Sequence, residues 1–169
     1  MKTYQVNEET DTSRSSVAIP KDNSSDAEAE AGQYYLPGLG PTYLDPEFAD
    51  KLGDFIQKSK DQGISLQFTS GYRDQAAQDA LHDNPTAITP ARDSLHSAGR
   101  GVDISWKGLD KAAASKVLEA AKAAGLSWGG NYSKPDPVHF YSDPGTDRRQ
   151  LIDNFSRAVA ASRGEIPDR

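Results

Sequence analysis

The sequence predicts one α+β domain. Three short stretches alternate apolar and polar residues with the period of a half-buried strand: 64–70, 101–106 and 138–141. Three longer stretches carry apolar residues at helical spacing, one opening at Asp45, one at Asp110 and one beyond Asp143-Pro144-Gly145. The chain of 169 residues suffices for a single domain with a real core and is short for two. A net charge of −6 with no basic stripe argues against nucleic acid as a partner. With no cysteine, disulfides and thiolate metal sites are excluded. Residues 1–9 lack the apolar core of a signal peptide, and no stretch is long enough to span a membrane. The expectation is a soluble protein made in the cytoplasm without an export signal and without membrane insertion.

Taken in order, residues 1–33 are expected to be a disordered acidic, serine-rich segment, because so polar a stretch buries too little apolar surface to offset its ordering entropy. The folded domain is expected over 34–162, opening with Tyr34-Tyr35-Leu36-Pro37 and the turn Gly38-Leu39-Gly40-Pro41. Asp45-Pro46-Glu47 is a helix start: a capping aspartate, proline at the first helical position and an acid in the first turn. Phe48, Leu52, Phe55 and Ile56 share one face of that helix, and Gly63 ends it. The strand at 64–70 leads into Gly71-Tyr72-Arg73 and a short helix from Asp74 to His82, where His82 reads as a solvated end residue. The proline-rich loop 83–93 that follows is a candidate wall for a cleft. Its Arg92, like Arg100 further on, is either surface charge or a contact for an acidic ligand.

Beyond the strand at 101–106, Gly108-Leu109-Asp110 caps an alanine-rich helix that runs to about Ala124. Leu126-Ser127-Trp128 reads as a short edge strand, with Trp128 either in the core or on a cleft wall. Leu151, Ile152, Phe155 and Val159 mark a closing amphipathic helix, and residues 163–169 are expected to fray.

The chemistry lies in two segments. Ser94-Leu-His96-Ser-Ala-Gly-Arg-Gly-Val-Asp103 separates a histidine from an aspartate by small residues, and Asp136-Pro137-Val138-His139-Phe140 adds a second histidine and carboxylate. His96, Asp103 and His139 make three metal ligands, which leaves Asp136 for acid–base work; three protein ligands with one vacant position describe a catalytic zinc site. In their strands Asp103 and His139 both leave the face opposite the apolar residues, so they converge if the strands are neighbours. A histidine in a soluble domain is more often structural. The residues alone therefore leave both a metal centre and an incidental pair of histidines open.

Ser-x-His-x-x-Gly-x-Gly-x-Asp followed by Asp-x-x-His-Phe resembles the signature of the M15 family of zinc peptidases, which includes D-alanyl-D-alanine carboxypeptidases and L-alanyl-D-glutamate endopeptidases. The resemblance extends from Ser70-Gly71-Tyr72-Arg73-Asp74 through Trp128-Gly129-Gly130 and covers about residues 42–142. It implies a small, mostly antiparallel sheet with flanking helices, the Hedgehog/DD-peptidase-like zinc fold, with the helices on one side and the metal at the other face or edge. It also implies one Zn2+ per chain on His96, Asp103 and His139, with Asp136 as general base and Arg73 as the group that stabilises the oxyanion. Ser94, Gln78, Tyr72 and Trp128 become candidates for substrate contact or for support of the site.

The implied substrate is the peptidoglycan stem peptide, cut at L-Ala–D-Glu or at D-Ala–D-Ala. Asp136, where carboxypeptidases usually carry glutamate, resembles the endolysin branch. Asn131-Tyr132 replaces an Asp-Trp pair common in that branch, and Gly101 stands where alanine is frequent, a departure expected to matter little. The setting implied is a monomeric lytic enzyme that acts on the cell wall or periplasm after release or injection. That describes an endolysin or an antibacterial toxin effector, the latter with an immunity protein in the producer. The alternative is a zinc-binding domain of the same fold that binds or signals without catalysis.

Overall fold

The computed structural model describes residues 30–83 and 93–165. The segment 1–29, most of the predicted loop (84–92, with Arg92) and residues 166–169 lie outside it. The first strand begins at Gly32, two residues before the predicted start. β1 (Gly32–Leu36) and β2 (Gly40–Leu44) form an antiparallel hairpin. α1 (Pro46–Asp61) follows, capped by Asp45, whose carboxylate accepts from the N–H groups of Glu47 and Phe48. β3 (Phe68–Ser70), α2 (Gln75–His82), β4 (Gly101–Ile104), α3 (Lys111–Ala123), β5 (Ser127–Trp128), β6 (His139–Tyr141) and α4 (Arg148–Ser162) complete the fold. Asp74, Asp110 and Asp147 cap the three later helices in the same way. The second sheet has the order β3-β4-β6-β5, and every strand pairing among the described residues is antiparallel.

The main core lies between one face of this sheet, the hairpin and the helices α1 and α3. Phe48, Phe55, Phe68, Val102, Ile104 and Phe140 are at most 1% exposed there. Burying a side chain of this size contributes about 2 kcal/mol. The helices are not confined to that side. On the opposite face, α4 packs on a short 3₁₀ helix, Leu95–Ala98, with Leu95, Ala98 and Ile152 buried beside Tyr141. The amphipathic pattern of α4 shows that it covers something apolar but not which face of the sheet, and so the one-sided arrangement fails.

Two predicted strands shorten for local reasons. Ile64 and Leu66 are buried as their alternation requires, but the ladder starts only at Phe68, whose N–H donates to Pro37 O at 2.7 Å. β4 ends at Ile104 because the chain turns at Trp106, whose carbonyl accepts from Leu109 N at 3.0 Å.

Arg100 is a further correction. Its guanidinium is neither on the surface nor aimed at a cleft; the residue is 4% exposed. Nη1 donates to Asp45 Oδ2 at 2.6 Å, Nη2 to Glu47 Oε1 at 2.8 Å and Nε to Ser142 O at 2.9 Å. The start of α1 is thereby tied to the chain just beyond β6. Burial raises the pKa of Asp45 despite the opposing charge of Arg100, whereas the exposed Glu47 is lowered by its hydrogen bond and charge contact with Arg100.

Candidate metal and catalytic site

Strand register brings the ligands together. In the β4–β6 ladder Asp103 pairs directly with His139, and Val102 pairs with Phe140 on the core face. β3 carries a bulge between Phe68 and Ser70, so Ser70 stands opposite Asp103 instead of one residue further along. Ser70, Asp103 and His139 thus form a row across three strands. His96 joins them from the 3₁₀ helix, whose first N–H groups are ordered by Ser94: its Oγ accepts from His96 N at 3.1 Å.

The ligating atoms of His96, Asp103 and His139 all lie within 4.8 Å of one another. Asp103 Oδ1 is 3.2 Å from His96 Nε2 and 3.2 Å from His139 Nδ1. His96 Nδ1 lies 2.8 Å from the carbonyl of Gly71. A carbonyl can only accept, so Nδ1 carries the hydrogen and Nε2 presents its lone pair to the site. The histidines are 3% and 6% exposed. Burial lowers the pKa of His96, against the pull of Asp103. Burial would raise Asp103, but its contacts with His139 and His96 outweigh that and hold the carboxyl well below its usual range. A neutral imidazole with its lone pair aimed inward, beside an ionised carboxylate, fits Zn2+.

Gly101 has more consequence than its sequence suggests. A Cβ there would stand 2.9 Å from His139 Cε1 and 3.2 Å from His96 N, so the bare backbone gives both ligands their room. On the other flank the ring of Tyr141 stacks on His139 at 5.3 Å, and Tyr132 lies 5.5 Å from Tyr141.

Arg73 follows directly after the row. Its Nε donates to Gln78 Oε1 at 3.0 Å and its Nη1 to Ser70 Oγ at 2.7 Å, while its backbone N–H donates to His96 O at 3.4 Å. Gln78 is 1% exposed, so the fork is gripped from a buried position. Burial lowers the pKa of Arg73, and the charges of Asp103 and Asp136 oppose the shift. Both carboxylates therefore lie within electrostatic reach of the guanidinium. Asp136 is exposed, in the turn before β6; its N–H donates to Gly129 O at 2.9 Å and its carbonyl accepts from His139 N at 3.1 Å.

The other candidates are held by packing and by hydrogen bonds of their own. Tyr72 is taken up by packing, with its ring 6.1 Å from Tyr43 and 5.5 Å from Phe155, and burial raises its pKa. Trp128 packs against the main core and donates its indole N–H to Pro137 O at 2.8 Å. His82 ends α2 beside Asp83, away from the metal group. The sequence carries no signal for the positions taken here by Ser70, the Gly71 carbonyl and Tyr132. The bulge that aims Ser70 leaves no trace in the alternation, whereas Tyr141 shares the period-two face of His139 and was legible there.

Residues 87–142 match the model of a peptidase family described as D-alanyl-D-alanine carboxypeptidase. Among solved structures, the LdcB LD-carboxypeptidase is similar at 21% identity with a TM-score of 0.50, over 74% of this chain and 70% of that one. DacB from Streptococcus pneumoniae D39 is similar at 17% identity, TM-score 0.48, over 78% and 80%. A vancomycin resistance D,D-pentapeptidase, VanY, solved in complex with Zn(II), is similar at 16% identity, TM-score 0.48, over 87% and 90%.

Proposed function

We propose that this chain is a zinc peptidase of the M15 type and that it cleaves the stem peptide of peptidoglycan at a bond next to a D-amino acid. The observation that carries the reading is the convergence of His96, Asp103 and His139, whose ligating atoms lie within 4.8 Å of one another, with Arg73 bonded to Ser70 of the same row and to the carbonyl of His96. His96, Asp103 and His139 would hold the zinc. When bound, the ion supplies Lewis acidity to the scissile carbonyl and to the attacking water.

The chain's own residues do the rest. The Asp136 carboxylate accepts a proton from water as the water oxygen bonds to the carbonyl carbon. The carbon–nitrogen bond then breaks, and the same proton leaves on the amine. The Arg73 fork, fixed by Gln78 and Ser70, faces the oxygen on which negative charge collects. Because Nε and one Nη1 hydrogen are engaged, the Nη2 end is the part offered to substrate. We assign these roles to Asp136 and Arg73 from the resemblance of their motifs, and to the three ligands from this geometry.

The match to a D-alanyl-D-alanine carboxypeptidase family favours removal of a terminal D-alanine. The aspartate at position 136 favours the L-Ala–D-Glu bond instead, since the shorter side chain is that of the endopeptidase branch. The site of action we propose is the cell wall, reached as an endolysin or as an injected effector. Digestion of purified peptidoglycan by the zinc-loaded protein, with mass analysis of the products, tests the reading. Released D-alanine or new N-terminal D-glutamate identifies the bond. Intact peptidoglycan after prolonged incubation with zinc-loaded, folded protein would leave the zinc-binding module without catalysis.

A further inference from the structure

The turn that carries Asp136 is held from both sides by indoles. Trp106, just past the end of β4, donates its Nε1–H to the carbonyl of Pro137 at 2.8 Å, and Trp128, in β5, donates to the same oxygen at 2.8 Å. β4 and β5 flank β6 on its two sides, so the indoles reach from opposite neighbours over the start of that strand. A carbonyl oxygen has two lone pairs, and here an indole occupies each. The backbone on either side is tied as well: Asp136 N to Gly129 O at 2.9 Å, His139 N to Asp136 O at 3.1 Å and Ile104 N to Val138 O at 2.9 Å. Gly129 and Gly130 make the close fit possible. A Cβ on Gly129 would stand 2.6 Å from Asp136 O, and one on Gly130 would collide with the ring of Trp128.

Packing alone does not account for this. Both tryptophans are only partly buried, and a half-buried indole can satisfy its N–H with water. Instead both N–H groups converge on the residue that follows the carboxylate. We propose that Trp106 and Trp128 are positioning residues that fix the Asp136 turn, so that a side chain with freedom of its own starts from an immobile backbone. The inference rests on the assignment of Asp136 as the general base. It predicts that the indole N–H groups act on turnover more than on substrate or metal binding.

The chain has two tryptophans, so replacing tryptophan throughout by benzothienylalanine changes only these two residues. The substitution removes each N–H and keeps the bicyclic ring. We expect one zinc per chain, KM within about twofold and kcat lower by about 10- to 100-fold, the range for a reacting group displaced by a fraction of its working distance. In an Asp136→Asn background the same replacement is expected to cost no more than about twofold, because the group it positions is gone. Trp106→Phe and Trp128→Phe, each with its thermal midpoint, apportion the loss between the two indoles. Unchanged kcat in the benzothienylalanine protein, or an equal loss in the Asp136→Asn background, would overturn the proposal while leaving the base assignment standing. Full activity of Asp136→Asn alone would overturn both.

Discussion

The three proposed zinc ligands and Asp136, the proposed base, gather around β6, yet they are held in opposite ways. His96 and His139 are nearly inaccessible, and each ring is bonded or stacked on more than one side. Asp103 is fixed by its register opposite His139. Asp136 has a backbone bonded at both its N–H and its carbonyl, but its side chain is exposed. The difference follows from the work. A ligand must offer a lone pair at one point, so rigidity of the whole side chain helps it. A group that accepts a proton and then releases it to another atom needs a fixed origin and some freedom at its tip.

Removal of a ligand would break the contrast most severely. His96→Ala or His139→Ala should lose zinc and all measurable hydrolysis, more than about 10⁴-fold, since two ligands hold the ion poorly. Metal analysis after dialysis checks this, and added zinc should restore a chelator-stripped parent but neither variant.

Arg73→Lys tests the other half at smaller amplitude. The ammonium keeps the charge but cannot bond Gln78 and Ser70 while presenting a flat edge to substrate. The expected loss in kcat is about 10²- to 10³-fold with zinc retained, as for removal of an oxyanion donor. Steady-state kinetics with metal content measured on the same sample is the check.

The smallest effect on chemistry should come from Asp45→Ala. This variant removes the cap of α1 and leaves the buried Arg100 without its 2.6 Å partner. Stability should fall by about 3 kcal/mol in urea unfolding. Turnover per folded, zinc-loaded molecule should stay within about twofold, because this network is distinct from the site.

The two halves were also unequally legible in sequence. Asp103 and His139 were readable because strand period fixes which face a side chain leaves, and one assumption, that their strands are neighbours, completes the pair. The helices were readable from their caps: Asp45, Asp74 and Asp110 each announce a start. Long-range choices were not readable. Nothing local says that α4 crosses to the ligand face, that a bulge turns Ser70 towards Asp103, or that Arg100 is drawn inside by Asp45. Trp128 showed the same limit. Its apolar ring suited both core and cleft, and only the fold shows its N–H on Pro137. Gly101 looked interchangeable with alanine because the atom it makes room for, His139 Cε1, lies on a strand remote in sequence.

We propose a division of labour between two aspartates, Asp103 holding metal and Asp136 moving a proton. It is tested most directly by measuring zinc content and peptidoglycan hydrolysis side by side in Asp103→Ala and Asp136→Ala. Asp103→Ala should lose both the ion and the activity. Asp136→Ala should keep one zinc per chain and a parental unfolding midpoint while hydrolysis falls by about 10²- to 10⁴-fold, the usual cost of removing a general base. An Asp136→Ala protein that keeps its zinc and cleaves at the parental rate would contradict the account.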